Sequence, residues 1–91
     1  MSGAVAKYKL LIKASAAQEL ERIPTRKDRR LMVGRILGMA DDPRSPGCRK
    51  LSGQDKYRVR QGLCRIVYSI HDDHLLVHVV KAGHRKEVYR K

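Results

Sequence analysis

The sequence predicts an α+β fold in which two N-terminal helices pack on one face of a mainly antiparallel β-sheet. Three observations support this class. Apolar residues recur at helical period over residues 32–40, they alternate over residues 57–80, and turn-forming residues separate the segments. A chain of 91 residues has room for one modest core, so residues 1–91 are expected to form a single domain.

The first predicted elements are a strand and a short helix. The segment "YKLLIKA" (residues 8–14) has the composition of a β-strand. In "SAAQELERI" that follows, Ser15 and Gln18 have the spacing of a capping box, which predicts a helix that begins at Ser15 and is ended by Pro24.

Thr25 and Asp28 repeat the same N-terminal signature and predict the start of a second helix. This helix is expected to end at Asp41-Asp42-Pro43. Its apolar stripe and one residue of the first helix should form the helical side of the core: Leu20, Met32, Val33, Ile36, Leu37 and Ala40. The next segment, "RSPGCRKLSGQD", is rich in turn formers and predicts a connection to the sheet.

The remaining residues read as strands. In "YRVRQGLCRIVYSI" the simplest hairpin turns on Gln61-Gly62, which places Val59 opposite Cys64 and Arg58 opposite Arg65. A second turn at Asp72-Asp73 leads into "HLLVHVVKA". Side chains 66, 68, 70, 75, 77 and 79 then share the face that packs on the helices, and the other face carries Arg58, Arg60, Arg65 and His78.

The charge balance points to a polyanionic partner. The chain has 21 Lys and Arg against nine Asp and Glu, a formal net charge of +12, which favours nucleic acid or an acidic protein over a soluble protein that only tolerates a basic surface. Like charges directly opposite in a strand pair cost about 0.2–1 kcal/mol. Arginines paired in this way are expected where an anion binds, although the alternative that they extend into water stays open.

Other classes of function have little support in the sequence. No apolar segment has the length of a leader or of a membrane span, so we expect a cytoplasmic protein without a membrane partner. Cys48 and Cys64 are expected to be reduced, since their spacing with the histidines fits no zinc site. No metal-ligand set or Gly-rich phosphate loop appears, so no metal and no cofactor are predicted.

The C-terminal segment "HRKEVYR" follows Ala82-Gly83 and places Arg85 and Tyr89 four residues apart. In either a strand or a helix this spacing leaves both side chains on one side, so they are expected to converge. The alternative is that Tyr89 packs the end of the chain and Arg85 is solvated.

These residues resemble the RelE toxins of bacterial and archaeal toxin–antitoxin pairs. The resemblance covers nearly the whole chain and includes "KLSG", "YRVR", "RIVY", "GHR" and "VY" in that order. It implies a ribosome-dependent endoribonuclease that cuts mRNA and is silenced by a cognate antitoxin. By position it implies the catalytic residues Arg58, Arg60, Arg65, Arg85 and Tyr89. Some members carry lysine at the first two positions, whereas arginine does not release a proton near neutral pH, so Arg58 and Arg60 are expected to stabilise charge.

RNA cleavage by the 2′-hydroxyl needs a base, cations at the phosphate and an acid for the 5′-oxygen. Positive charge around Tyr89 would favour its phenolate and makes it the candidate base, with His84 and His78 in reserve. Arg65 and Arg85 are expected to grip the phosphate. Further RNA contacts are predicted at Lys50, Lys56, Lys81 and His84.

An apolar patch on the arginine-bearing face predicts where the antitoxin binds. Val67, Leu76 and Val80 alternate onto that face, and an acidic, amphipathic RelB-like segment would cover them. Two other functions stay open: a ParE-like toxin that binds a DNA topoisomerase, and a non-catalytic RNA-binding module. The complete arginine and tyrosine set argues against the first, and a converging tyrosine is unnecessary for the second.

Overall fold

The computed structural model describes residues 7–51, 53 and 55–84, in which two helices pack on one face of a five-stranded sheet. The sheet order is β1-β5-β4-β3-β2; β1 and β5 are parallel and every other neighbouring pair is antiparallel. This confirms the predicted fold class. The elements are β1 (Lys9–Ile12), α1 (Ala14–Glu21), α2 (Arg26–Gly38), β2 (Arg49–Lys50), β3 (Lys56–Gln61), β4 (Cys64–His71) and β5 (Leu76–His84).

The two helices begin differently. The N-cap of α2 is Thr25, whose side chain accepts a hydrogen bond from the Asp28 N–H at 3.1 Å, as predicted. The prediction that Ser15 caps α1 is wrong. The N-cap is Lys13, which makes no side-chain cap hydrogen bond. The Lys13 N–H still bonds the Val79 carbonyl at 2.9 Å, so the chain turns from β1 directly into the helix and Ser15 falls within its first turn.

The core lies between α2, α1 and the inner face of the sheet. Met32 and Ile36 of α2 are buried, as predicted, but Leu37 is 61% exposed and Val33 is 41% exposed. Helix α2 also ends earlier than predicted, at Gly38. A narrow stripe at i, i+4 and i+7, which ends at the buried Met39, therefore faces the sheet. The sheet contributes Val59, Cys64, Ile66, Tyr68, Val77, Val79 and Ala82.

The β3–β4 hairpin turns on Gly62-Leu63, one residue later than predicted. Gly62 has φ 62°, as the first central position of a two-residue hairpin turn requires. Gln61 does not have a positive φ. The pairs are Val59–Ile66 and Arg60–Arg65 instead of the predicted Val59–Cys64 and Arg58–Arg65. Because the register slips by two residues, every side chain keeps its predicted face.

A β-bulge interrupts the pairing of β4 with β5. Val67 pairs with Lys81 and Tyr68 with Val79, so Val80 is the extra residue. Uninterrupted alternation from Val77 and Val79 would point Lys81 into the core, and the bulge places Ala82 there instead. Leu75, predicted to join this core face, lies in the turn before β5 with φ 50° and is 48% exposed.

Candidate nucleic-acid interface

Rows of paired residues cross the face of the sheet opposite to the core. Arg49 pairs with Arg58, Arg58 with Val67, and Val67 with Lys81, which makes one row over β2, β3, β4 and β5. In the adjacent row Arg60 pairs with Arg65 and Arg65 with Gly83. We call this surface the arginine face, defined by Arg49, Arg58, Arg60 and Arg65. Directly paired side chains have Cβ atoms roughly 4.5–5.5 Å apart, so four guanidinium-bearing chains start within two neighbouring rows.

Arg65 is held differently from its neighbours. It is 4% exposed, whereas Arg60 is exposed and Arg58 is half-buried. Arg65 therefore does not extend into water, in contrast to the alternative that the sequence left open. A buried side chain has little rotamer freedom left, so this guanidinium is positioned before any ligand arrives.

The end of β5 next to Arg65 is braced by α1. The Glu19 carboxylate accepts a hydrogen bond from the Ala82 N–H at 3.0 Å, beyond the last pair between β1 and β5. A Cβ at Gly83 would lie 3.4 Å from the Glu19 Cβ, so this helix approaches the strand closely where Gly83 stands. The final described residue, His84, pairs with Cys64, one residue from Arg65.

A polar depression of about 380 Å³ lies at the β2–β3 edge of the arginine face. Gly47, Arg49, Arg58 and Arg60 line it. Arg49 is absent from the site that the sequence predicts, because it lies in the turn-rich segment "RSPGCRKLSGQD"; that segment contains the two-residue strand β2, which pairs with β3. We call this feature the arginine depression.

A second depression, of about 340 Å³, combines apolar and basic residues. It brings Val67 and Val80, predicted to bind the antitoxin, together with Lys56 and Lys81, predicted to bind RNA. Lys13, Ser15 and Leu51 also line it. The bulge explains part of the grouping, since it turns both Val80 and Lys81 toward Val67. We call this feature the lysine–valine depression.

The other predicted residues are not all brought to these two depressions. Lys50 follows Arg49 in β2 and pairs with Tyr57 of β3. Because neighbouring side chains of a strand point to opposite faces, Lys50 lies on the face opposite to Arg49. Leu76 starts β5 opposite His71, and His78 lies five residues before Gly83, roughly 16 Å along an extended strand. His84 ends β5. Arg85 and Tyr89 lie outside the described residues.

The loop before β2 is tied to the sheet by its own contacts. Arg44 donates two hydrogen bonds to the Asp72 carboxylate, at 2.8 and 3.2 Å, and the Tyr8 hydroxyl donates a third at 2.6 Å. These donors lower the pKa of Asp72 to about 2. The Tyr68 hydroxyl donates to the Pro43 carbonyl at 2.7 Å in the interior, and burial raises the pKa of Tyr68. The first part of the loop is therefore anchored.

The described residues contain neither a metal-ligand cluster nor a membrane-spanning helix. In the ranges given above, no three His, Cys, Asp or Glu side chains lie close enough to form a metal site. Neither described helix is long and apolar enough to cross a membrane.

Comparison with known proteins identifies the fold. No protein-family model matches the chain, and no curated protein matches it. Among solved structures, isolated Escherichia coli RelE toxin is 26% identical, with a TM-score of 0.72 over 90% of each chain. The archaeal RelE–RelB complex of Pyrococcus horikoshii gives 22% identity and a TM-score of 0.77 over 93% of this chain and 99% of that one.

The RelBE2 toxin–antitoxin complex of Mycobacterium tuberculosis gives 22% identity and a TM-score of 0.74 over 87% of this chain and 99% of its match. These three structures and further solved structures of similar fold are RelE toxins or RelE–RelB complexes. The order of helices and strands and these likenesses agree with the motifs of the sequence, and they show that this chain has the fold of the RelE toxins, which it resembles.

Proposed function

We propose that this chain is the toxin of a type II toxin–antitoxin system and acts in the cytoplasm as a ribosome-dependent mRNA endoribonuclease. One observation carries the proposal: a buried Arg65 lies directly opposite the exposed Arg60, beside a second directly opposed pair, Arg49 and Arg58. Repeated like-charge pairs weaken a sheet, so a sequence that keeps them is expected to bind an anion there.

The proposed reaction uses the RNA's own 2′-hydroxyl as the nucleophile. A base removes its proton, the 2′-oxygen bonds to the adjacent phosphorus, and the bond from phosphorus to the 5′-oxygen breaks. The leaving oxygen takes up a proton, which gives a 2′,3′-cyclic phosphate and a 5′-hydroxyl. Arg65, held in place by burial, stabilises the negative charge that develops on the phosphate.

The other roles follow the resemblance to RelE. Arg58 and Arg60 stabilise the leaving oxygen and the neighbouring phosphate as fixed charges. Arg85 is the second phosphate ligand and Tyr89 the base, with His84 as its alternative. His78 is a weaker candidate, because roughly 16 Å of strand separates it from the position opposite Arg65.

We also propose that a cognate RelB-like antitoxin binds the lysine–valine depression. Several structures of similar fold are RelE–RelB complexes. A partner segment that is apolar on one side and acidic on the other would cover the half-buried Val80 and the small exposed part of Val67, which is 9% exposed, and would neutralise Lys56 and Lys81. It would thereby occupy surface that RNA needs. Leu76 would extend the apolar contact along β5 only if the segment continues past the depression.

The decisive experiment measures mRNA cleavage with and without ribosomes. Wild type should cut message only with ribosomes and should arrest growth when expressed. Arg85→Ala should lose both effects. Arg30→Ala removes the same charge from an exposed position on α2 and should lose neither. Topoisomerase inhibition without cleavage would identify a ParE-like toxin, and RNA binding without cleavage or toxicity would identify a binding module.

Affinity for the co-encoded antitoxin across a salt series tests the proposed partner. Binding should weaken with salt but persist, because salt screens the charges of Lys56 and Lys81 and leaves the apolar contact with Val80 in place. A salt-independent affinity would contradict the charge component. Complete loss of binding at high salt would contradict the apolar component.

A further inference from the structure

We infer that Arg49 is a further RNA-binding residue, and that the arginine depression it forms with Arg58 and Arg60 binds the phosphodiester next to the one that is cut. The RNA substrate rests on the proposed function. The inference itself rests on the shape, charge and bracing of the depression.

The depression is strongly basic. Among the described residues, its lining consists of three arginines and Gly47. Arg49 and Arg58 are directly opposed on β2 and β3, which costs stability unless an anion lies between them. Guanidinium groups present two parallel N–H donors and match the oxygens of a phosphate. The lining therefore fits a phosphodiester.

The loop before β2 is held in position. Arg35 of α2 donates a hydrogen bond to the Pro46 carbonyl at 2.9 Å, and a Cβ at Gly47 would lie 3.5 Å from the same guanidinium nitrogen. Gly47 has φ 92°, which an L side chain rarely adopts, so the chain can turn here just before β2. With the contacts of Pro43 and Arg44 at the other end, this bracing fixes where Arg49 starts.

The depression lies a short distance from the Arg60–Arg65 pair. The Arg49–Arg58 pair lies one strand and two residues away from the Arg60–Arg65 pair, which is roughly 8 Å from centre to centre. Successive phosphates of an extended RNA strand are spaced at a comparable distance. One strand can therefore place a phosphate at each pair at the same time.

An acidic protein segment is the competing ligand, and the lining favours RNA over it. Stable protein contacts bury an apolar centre, whereas none of the described residues that line the arginine depression has an apolar side chain. The neighbouring lysine–valine depression supplies Val67 and Val80 for that purpose. The arginine depression is thus assigned to the RNA backbone, whereas the antitoxin and RNA compete for the lysine–valine depression.

The test uses the full chain and a short RNA with 2′-O-methyl groups, which binds but cannot be cut. Fluorescence anisotropy across a salt series gives the affinity and its salt slope. Arg49→Ala should lower affinity roughly 10-fold and reduce the slope by about 0.7, the value for one phosphate contact with a single strand. Arg49→Lys should restore the slope and only part of the affinity, because it keeps the charge and loses the fork.

Arg30→Ala is the matched control, since it removes one exposed arginine from α2 and should leave the slope unchanged. An unchanged slope for Arg49→Ala, or a slope that falls equally for Arg30→Ala, would overturn the inference. Lost affinity for the antitoxin with unaltered RNA binding would overturn it too, and would assign the depression to protein docking. Wild type that binds the RNA through Arg49 yet never cuts message would refute the proposed function and leave this inference standing.

Discussion

Replacing Arg60 by glutamine should make the protein more stable and less active. Arg60 is exposed and lies directly opposite Arg65, which is 4% exposed. Two like charges in this arrangement cost about 0.2–1 kcal/mol. Glutamine keeps a long polar side chain and removes only the charge, so the free energy of unfolding should rise by about 0.5 kcal/mol, at the middle of that range.

Thermal and urea unfolding measure this gain. For a domain of this size, about 0.5 kcal/mol corresponds to a rise of roughly 2–4 °C in Tm. The gain should shrink toward zero in 1 M NaCl, where the screening length falls to about 3 Å. Arg30→Gln is the control, because in a chain of net charge +12 the loss of any arginine relieves some general repulsion.

The reasoning is refuted if Arg60→Gln gains no more than Arg30→Gln at low salt, or if its gain persists unchanged at high salt. In either case the Arg60–Arg65 pair would not be repulsive. A gain in stability together with slower RNA cleavage would show that the sheet keeps Arg60 at a cost to stability, as functional sites often do.

Three further predictions concern the site and its support. Arg65→Ala should relieve growth arrest and slow mRNA cleavage by roughly 30- to 1,000-fold, equivalent to about 2–4 kcal/mol, with circular dichroism as the check on folding; full toxicity would remove Arg65 from the site. The pKa of Asp72 is lowered to about 2 chiefly by its hydrogen bonds from Arg44, so its stabilising effect is present above the unfolded value near 4 and is lost as pH falls through 2. Asp72→Asn should therefore be less stable than wild type at pH 6, and the two Tm values should converge near pH 2; a constant gap would contradict the assignment. Tyr68→Phe should cost about 1–3 kcal/mol in urea unfolding, because the interior Pro43 carbonyl loses its donor, and a neutral effect would mean that water replaces it.

Local patterns in the sequence were sufficient for the elements that depend on local physics. Thr25 caps α2 because its hydroxyl and the N–H three residues later belong to one turn of chain. Arg58, Arg60 and Arg65 share a face because side chains alternate along strands, and a hairpin slip of two residues leaves that alternation unchanged. The motifs of these strands also indicated a resemblance to the RelE toxins, and the solved structures confirm it.

Only the tertiary structure decided the rest. The bulge at Val80 brings Lys81 beside Val67, and it arises from the fit between β4 and β5, which alternation along one strand does not encode. The strand β2 has only two residues and forms because it pairs with β3. The sequence around Arg49 is rich in turn formers, so the position of Arg49 on the sheet could not be predicted from it. The width of the stripe that α2 buries was set by packing, which left Leu37 in water. The sequence by itself determined which side chains share a face, because that follows from backbone geometry; the burial of Arg65 and the two depressions were decided by contacts between residues far apart in the chain.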